Sequence, residues 1–224
     1  MNQIIVAMDM EIEDGLKLMR ETQLHDEIYG YKIGSLWVVE RGVGILHYCK
    51  EHFIGKKIIL DMQKWGTDIP DIIKKQVEKV APYVDELICC PMGAGSESLK
   101  MFAKTCIENN VKPICVLEMT HPESSKYLND YYFNCLLNDA IKSEINSFVI
   151  PATKYINKNK IDLLKSFETK SKIEKYATGF KTQGGQTKPM VDFGVTKFIV
   201  GRAIYESPAP ISQIELIYKE INEV

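Results

Sequence analysis

The sequence predicts a compact (β/α)8 barrel, and three observations carry that prediction. Short apolar runs recur roughly every 25 to 30 residues, each followed by a longer amphipathic stretch. Crossovers of this length join parallel strands, which are buried on both faces and therefore read as apolar along their whole length. Finally, eight such units fit within 224 residues. An open doubly wound sheet shares the first two features and remains the alternative architecture.

The elements follow in order. Gln3 to Met8 is the first apolar run, and Asp14 to Gln23 the first helical pattern. A second strand is expected at Ile28 to Ile33, followed by a buried helix face carrying Trp37 and Tyr48. Lys57 to Leu60 and Asp68 to Val80 form the third unit, and Glu86 to Cys90 with Ser96 to Asn109 the fourth. Pro113 to Leu117 precedes Asp130 to Ser143, and Ser147 to Ile150 precedes Lys160 to Phe167. Strands at Lys175 to Thr178 and Lys197 to Val200 and a helix at Ile211 to Asn222 close the chain, giving one barrel domain over residues 1–224.

Composition excludes several classes. With 45% hydrophobic and 26% charged residues the chain reads as a globular protein with a sizeable core that needs neither disulfides nor a structural metal. Twenty-eight Lys and Arg nearly balance 30 Asp and Glu, so no global field draws it to nucleic acid or an anionic membrane. Met1 runs straight into a strand pattern without a signal peptide, and no apolar run approaches the ~20 residues of a membrane span. A cytoplasmic protein is expected. Six cysteines without CxxC spacing and four histidines argue against a zinc site, and the cysteines are expected as reduced core thiols. Cys89 and Cys90 are adjacent, too close for an ordinary disulfide.

In either architecture the active site lies beyond the carboxyl ends of the strands. Thr182-Gln183-Gly184-Gly185 and Val200-Gly201-Arg202 supply backbone amides and a guanidinium after the seventh and eighth strands, where barrels commonly hold a phosphate. The alternative is a pair of tight turns with Arg202 in solvent. Gly93-Ala94-Gly95-Ser96 reads as a turn. A second constellation gathers Lys32, Asp61, Lys64 and Asp68, with Asp9 nearby. Alternating signs on adjacent strand ends can neutralise one another in a partly dry site, and carboxylates beside a lysine favour its ammonium form. A solvated rim over Asp61 to Asp71 is the competing reading.

These residues resemble one family, orotidine 5'-monophosphate decarboxylase in its short archaeal type. The likeness runs through Ala7-Met8-Asp9-Met10, Tyr31-Lys32-Ile33-Gly34, Ile58-Ile59-Leu60-Asp61 and Asp68-Ile69-Pro70. It continues in Leu117-Glu118-Met119-Thr120-His121-Pro122, Thr182-Gln183-Gly184-Gly185 and Val200-Gly201-Arg202-Ala203-Ile204-Tyr205. The resemblance implies a (β/α)8 homodimer of pyrimidine biosynthesis that turns orotidine 5'-monophosphate into uridine 5'-monophosphate and carbon dioxide with neither metal nor organic cofactor. It implies that Asp9 holds a ribose hydroxyl, that Lys32 pairs with ribose and Asp61, and that Asp61 lies beside the substrate carboxylate. Lys64 would protonate the C6 carbanion, Asp68 would reach the partner's site, Thr120 would bind the pyrimidine, and Gln183, Gly184, Gly201 and Arg202 would grip the phosphate. His121 falls in a loop-shaping segment, and Trp65 either covers the site or shields its loop.

Two departures from the family pattern fall in the chemical loop. The family reads Asp-x-Lys-x-x-Asp, whereas this chain runs from Asp61 through Lys64 to Asp68, two residues longer. Residues three apart in a regular strand face opposite ways, so Lys64 needs a bulge at Met62 or Gln63 to point with Asp61. Ile72 stands where the family usually has a threonine, and it cannot supply a hydroxyl to ribose. Two other functions therefore stay in view: a nucleotide-binding paralogue that has lost catalysis, and a metal-dependent sugar-phosphate barrel such as hexulose-phosphate synthase.

Overall fold

The computed structural model describes residues 1–61, 67–120, 122–152, 158–169, 172–179 and 187–223. Eight parallel strands close into a barrel in sequence order: β1 (Gln3–Ala7), β2 (Ile28–Gly34), β3 (Lys57–Asp61), β4 (Glu86–Cys89), β5 (Lys112–Val116), β6 (Ser147–Pro151), β7 (Glu174–Thr178) and β8 (Lys197–Val200). Closure is made by β1 against β8, with Val6 opposite Val200. The open doubly wound alternative is thereby set aside.

The helices form the outer layer: α1 (Ile12–Thr22), α2 (Ser35–Arg41), α3 (Gly44–His52), α4 (Pro70–Val80), α5 (Ser96–Glu108), α6 (Asp130–Lys142), α7 (Lys158–Glu168), α8 (Thr187–Asp192), α9 (Arg202–Tyr205) and α10 (Pro210–Asn222). Local chemistry sets their starts. Pro70 takes the first turn of α4 behind an extended Ile69, where its missing N–H costs nothing. The Asn129 side chain accepts the Tyr132 N–H at 3.0 Å and caps α6. No described helix is long and apolar enough to cross a membrane.

Alternation along each strand divides the core in two. Outward residues such as Val6, Tyr31, Leu60 and Phe198 pack with Leu18, Leu46, Phe102 and Ile217 of the helices. Inward residues Ile5, Ile59, Ile88, Ile114, Val149 and Ile199 fill the barrel itself. Burial of each such side chain stabilises the fold by about 1.5–3 kcal/mol. Trp37 of α2 is fully buried, and its Nε1–H donates to Met10 O at 2.7 Å. A Cβ at Gly15 would lie 2.2 Å from the Trp37 ring, so α1 must carry glycine where the indole passes under it.

One irregularity interrupts the β1–β2 ladder. Ile4 pairs with Ile28 but Ile5 pairs with Gly30, leaving Tyr29 as an extra residue on β2. Tyr29 packs against the interior cluster although Lys32, three residues on, also faces inward. Its hydroxyl donates to Glu86 Oε1 at 2.5 Å, and Tyr176 donates to Glu86 Oε2 at 3.0 Å. Lys112 donates to Tyr176 Oη at 2.9 Å and pairs with Glu174. These groups make a polar floor at the amino ends of the strands.

Three expectations need correction. Tyr48 is exposed and stacks on His52 with ring centroids 4.0 Å apart, because α3 turns that face away from the barrel. Five cysteines are buried free thiols, but Cys135 is exposed on α6. Between β2 and β3 the chain forms two helices rather than one, broken at Gly42 with φ +64°.

Candidate active site

A cavity of about 200 Å³ opens at the carboxyl ends of the strands. Its charged wall comes from three consecutive units. Asp9 follows β1, Lys32 lies near the end of β2, and Asp61 is the last residue of β3. Parallel pairing sets Ala7 opposite Lys32 and Gly34 opposite Asp61, which brings the three side chains together. Lys32 Nζ stands 2.9 Å from Asp61 Oδ2 and 3.5 Å from Asp9 Oδ1.

Exposure separates these partners. The side chains of Lys32 and Asp61 are 9% and 11% exposed, whereas that of Asp9 is 55% exposed. Burial alone would lower the Lys32 pKa, but the charges and hydrogen bonds of Asp61 and Asp9 outweigh it and hold the ammonium above its ordinary value. Lys32 is therefore a fixed cation throughout the neutral range. Asp9 keeps most of its carboxylate open to the cavity, where it can accept hydroxyl hydrogens from a ligand.

The opposite wall comes from the end of β5 and the segment after it, where Val116, Glu118, Met119 and Thr120 line the cavity. The far end is formed by Thr178, Gly179, Gly201, Arg202 and Tyr205. A Cβ at Gly201 would lie 3.3 Å from the Tyr205 ring and 3.5 Å from Ala7 Cβ, so glycine keeps this corner open. Arg202 begins the short helix α9 beside it and offers a guanidinium suited to a phosphate. Tyr205, to which sequence reasoning gave no role, also faces the cavity, and its pKa is raised mainly by burial and then by Asp9.

The structure thus gathers Asp9, Lys32, Asp61, Thr120, Gly201 and Arg202 around one cavity. Asp68 stands apart from that lining: it is exposed, and its Oδ1 accepts the Ile69 N–H at 2.7 Å. Lys64, Trp65, His121, Gln183 and Gly184 lie outside the described residues. Gly93 and Gly95 do form a turn, with φ +83° and +80°, ahead of α5. Among the described residues no group of three or more His, Cys, Asp or Glu is placed to hold a metal ion.

Comparison with known proteins points to one family. The model of the Orotidine 5'-phosphate decarboxylase / HUMPS family matches residues 2–217. The orotidine 5'-phosphate decarboxylase of Pyrococcus abyssi is 28% identical, the match covering 97% of this chain and 98% of that protein. Among solved structures, the orotidine 5'-monophosphate decarboxylase of Methanocaldococcus jannaschii in complex with the inhibitor BMP superposes with a TM-score of 0.84 at 25% identity, over 99% of both chains. The enzyme of Pyrococcus horikoshii gives 0.81 at 28% identity, over 99% of this chain and 100% of that one.

Proposed function

The chain belongs to the orotidine 5'-phosphate decarboxylase / HUMPS family, and from that premise we propose that it decarboxylates orotidine 5'-monophosphate to uridine 5'-monophosphate in pyrimidine biosynthesis. The observation that carries this reading is the Asp9–Lys32–Asp61 array at one wall of the cavity, opposite Thr120 and beside Arg202. An ammonium between the two carboxylates offsets one of their two charges and occupies the place between them that a divalent cation would take, which favours the decarboxylase over the sugar-phosphate reading.

In this reading Asp9 and Lys32 hold ribose hydroxyls, Thr120 binds the pyrimidine, and Gln183, Gly184, Gly201 and Arg202 hold the phosphate. Binding energy at the phosphate, remote from the reacting carbon, is available to strain the carboxylate against Asp61. The C6–carboxylate bond breaks, carbon dioxide leaves, and the electron pair stays on C6. Lys64 then gives its proton to C6 and recovers one from solvent. Asp68, exposed and away from its own chain's cavity, reaches the site of a second subunit, so the working unit is a homodimer in the cytoplasm with the whole chain as one barrel domain.

The test is the ultraviolet absorbance change on mixing the protein with orotidine 5'-monophosphate, with chelator present throughout. Turnover is expected, and Lys64→Ala is expected to abolish it while nucleotide binding survives. No turnover from folded protein, with uridine 5'-monophosphate still bound, would replace this reading with a non-catalytic nucleotide binder. Activity that only a restored divalent cation brings back would indicate the sugar-phosphate class instead.

A further inference from the structure

The cavity wall formed by the segment after β5 has an unusual support. The last sheet bond there runs from the Leu117 N–H to Val149 O at 3.1 Å. Pro151 follows on β6 with no N–H to carry the ladder on. Beyond that point Glu118, Met119 and Thr120 make no backbone hydrogen bond among the described residues. Yet Thr120 lines the cavity directly across the barrel from the Asp9 wall.

Apart from Met119, which packs on the interior cluster, the polar tie on the segment is a buried ion pair. Glu118 and Lys160 are each 4% exposed, and Lys160 Nζ donates to Glu118 Oε1 at 2.8 Å. The same ammonium lies 3.5 Å from Asp130 Oδ1 at the start of α6 and 5.3 Å from the centre of the Phe133 ring. One cation on α7 thereby ties the end of β5 to the beginning of α6. Burial raises the Glu118 pKa, and Lys160 acts against that rise.

Stability is a poor account of this pair. A buried ion pair is often matched or bettered by well-packed apolar residues. Here the second carboxylate oxygen, Oε2, is buried without a hydrogen-bond partner among the described residues, which adds to the cost. The pair instead stands two residues before Thr120, at the point where the sheet stops holding the chain.

We propose that Glu118 and Lys160 are positioning residues for recognition of the ligand's base, clamping the unbonded end of β5 so that Thr120 meets the heterocycle. This rests on the nucleotide reading above. It assigns recognition of the base to the β5–α7 clamp and leaves the phosphate end, around Gly201 and Arg202, independent of it.

Two ligands separate those ends: uridine 5'-monophosphate, which carries a base, and ribose 5-phosphate, which does not. Glu118→Gln and Lys160→Met should each weaken uridine 5'-monophosphate binding by about tenfold to a hundredfold. Ribose 5-phosphate binding should stay within about twofold, and Lys160→Arg should restore most of the nucleotide affinity. Thr120→Ala combined with Glu118→Gln should lose little more than Thr120→Ala alone, because both act through one contact. Should Lys160→Met not fold, the neutral pair Glu118→Gln with Lys160→Met provides the same comparison. Equal weakening of both ligands, or additive losses with Thr120→Ala, would overturn the clamp. Failure of the unaltered protein to turn over orotidine 5'-monophosphate would instead overturn the decarboxylase reading, and base-selective loss of binding would still decide the clamp.

Discussion

The two ends of the barrel interior carry the same kinds of residue and use them differently. At the floor, Glu86 is buried and both its oxygens accept phenolic hydrogens, from Tyr29 and Tyr176, while Lys112 joins Tyr176 to Glu174. Lys197 completes the layer, donating to Gln3 Oε1 at 2.6 Å with its ammonium 4.0 Å from the Tyr29 ring centre. At the mouth, Lys32 is also buried between opposite charges, but Asp9 faces the cavity. A network closed on itself fixes the fold, whereas one left open on the cavity side is completed by what enters.

The sharpest way to break that contrast is to remove one cation from the mouth. Lys32→Met should lower kcat by about a hundredfold to a thousandfold, the range for loss of a fixed electrostatic group. A stopped assay on folded protein checks it, and activity within a few-fold of normal would sink the proposed role. At the floor the effect should appear in stability instead. Glu86→Ala strips two phenols of their acceptor and removes a carboxylate 3.8 Å from Lys112, and should cost about 3 kcal/mol, read as a lower urea midpoint. Turnover per folded molecule should be unchanged.

Arg202→Ala should act at the mouth more mildly, raising KM by about tenfold as one charge-assisted contact to phosphate is lost. Added salt should weaken ligand binding less in that variant than in the unaltered protein. The last contrast is the response to alkali. Burial pushes the Tyr31 pKa up to about 12, and burial together with Glu86 holds those of Tyr29 and Tyr176 high. The folded state then keeps protons that the unfolded chain releases above pH ~10, so stability falls as pH rises from about 10 towards 12. Each phenol contributes about 1.4 kcal/mol per pH unit in that window. Urea midpoints at pH 9 and 11 measure the slope, and Glu86→Ala should flatten it by easing the floor phenols.

Much of the fold was legible because each apolar run had an inside and an outside to fill. All eight strands lie within two residues of their expected bounds, as with Lys197 to Val200 and Ser147 to Pro151. The helices α8 and α9, of six and four residues, are too short to show a period. Site residues standing next to strand ends, such as Asp9, Lys32, Asp61 and Arg202, could be collected from the sequence alone.

What could not be collected is pairing over distance. Glu118 and Lys160 stand 42 positions apart, and nothing local in either marks the other. The floor did leave a signal: Gln3, Glu86, Lys112, Glu174 and Lys197 each open a strand. A polar residue there resembles the turn before a strand, so periodicity alone does not separate a buried floor from a solvated edge. Tyr48 shows the converse error, since an aromatic on a helical face reads as core until the neighbouring helix is placed.

The extra residue on β2 bears on how this barrel tolerates edits. Ile28 faces out and Gly30 in, as unbroken alternation would have them with Tyr29 deleted. Tyr29 is thus an insertion that leaves the direction of everything after it unchanged, and Lys32 keeps its aim whether or not the phenol is present. Chain length and side-chain aim are separable in this strand, so residues can be gained near a strand end without scrambling the chemistry downstream. Asp61 and Lys64 are separated in sequence by the same three-residue interval as Tyr29 and Lys32, and added length between Asp61 and Asp68 is the kind of change such a scaffold can absorb.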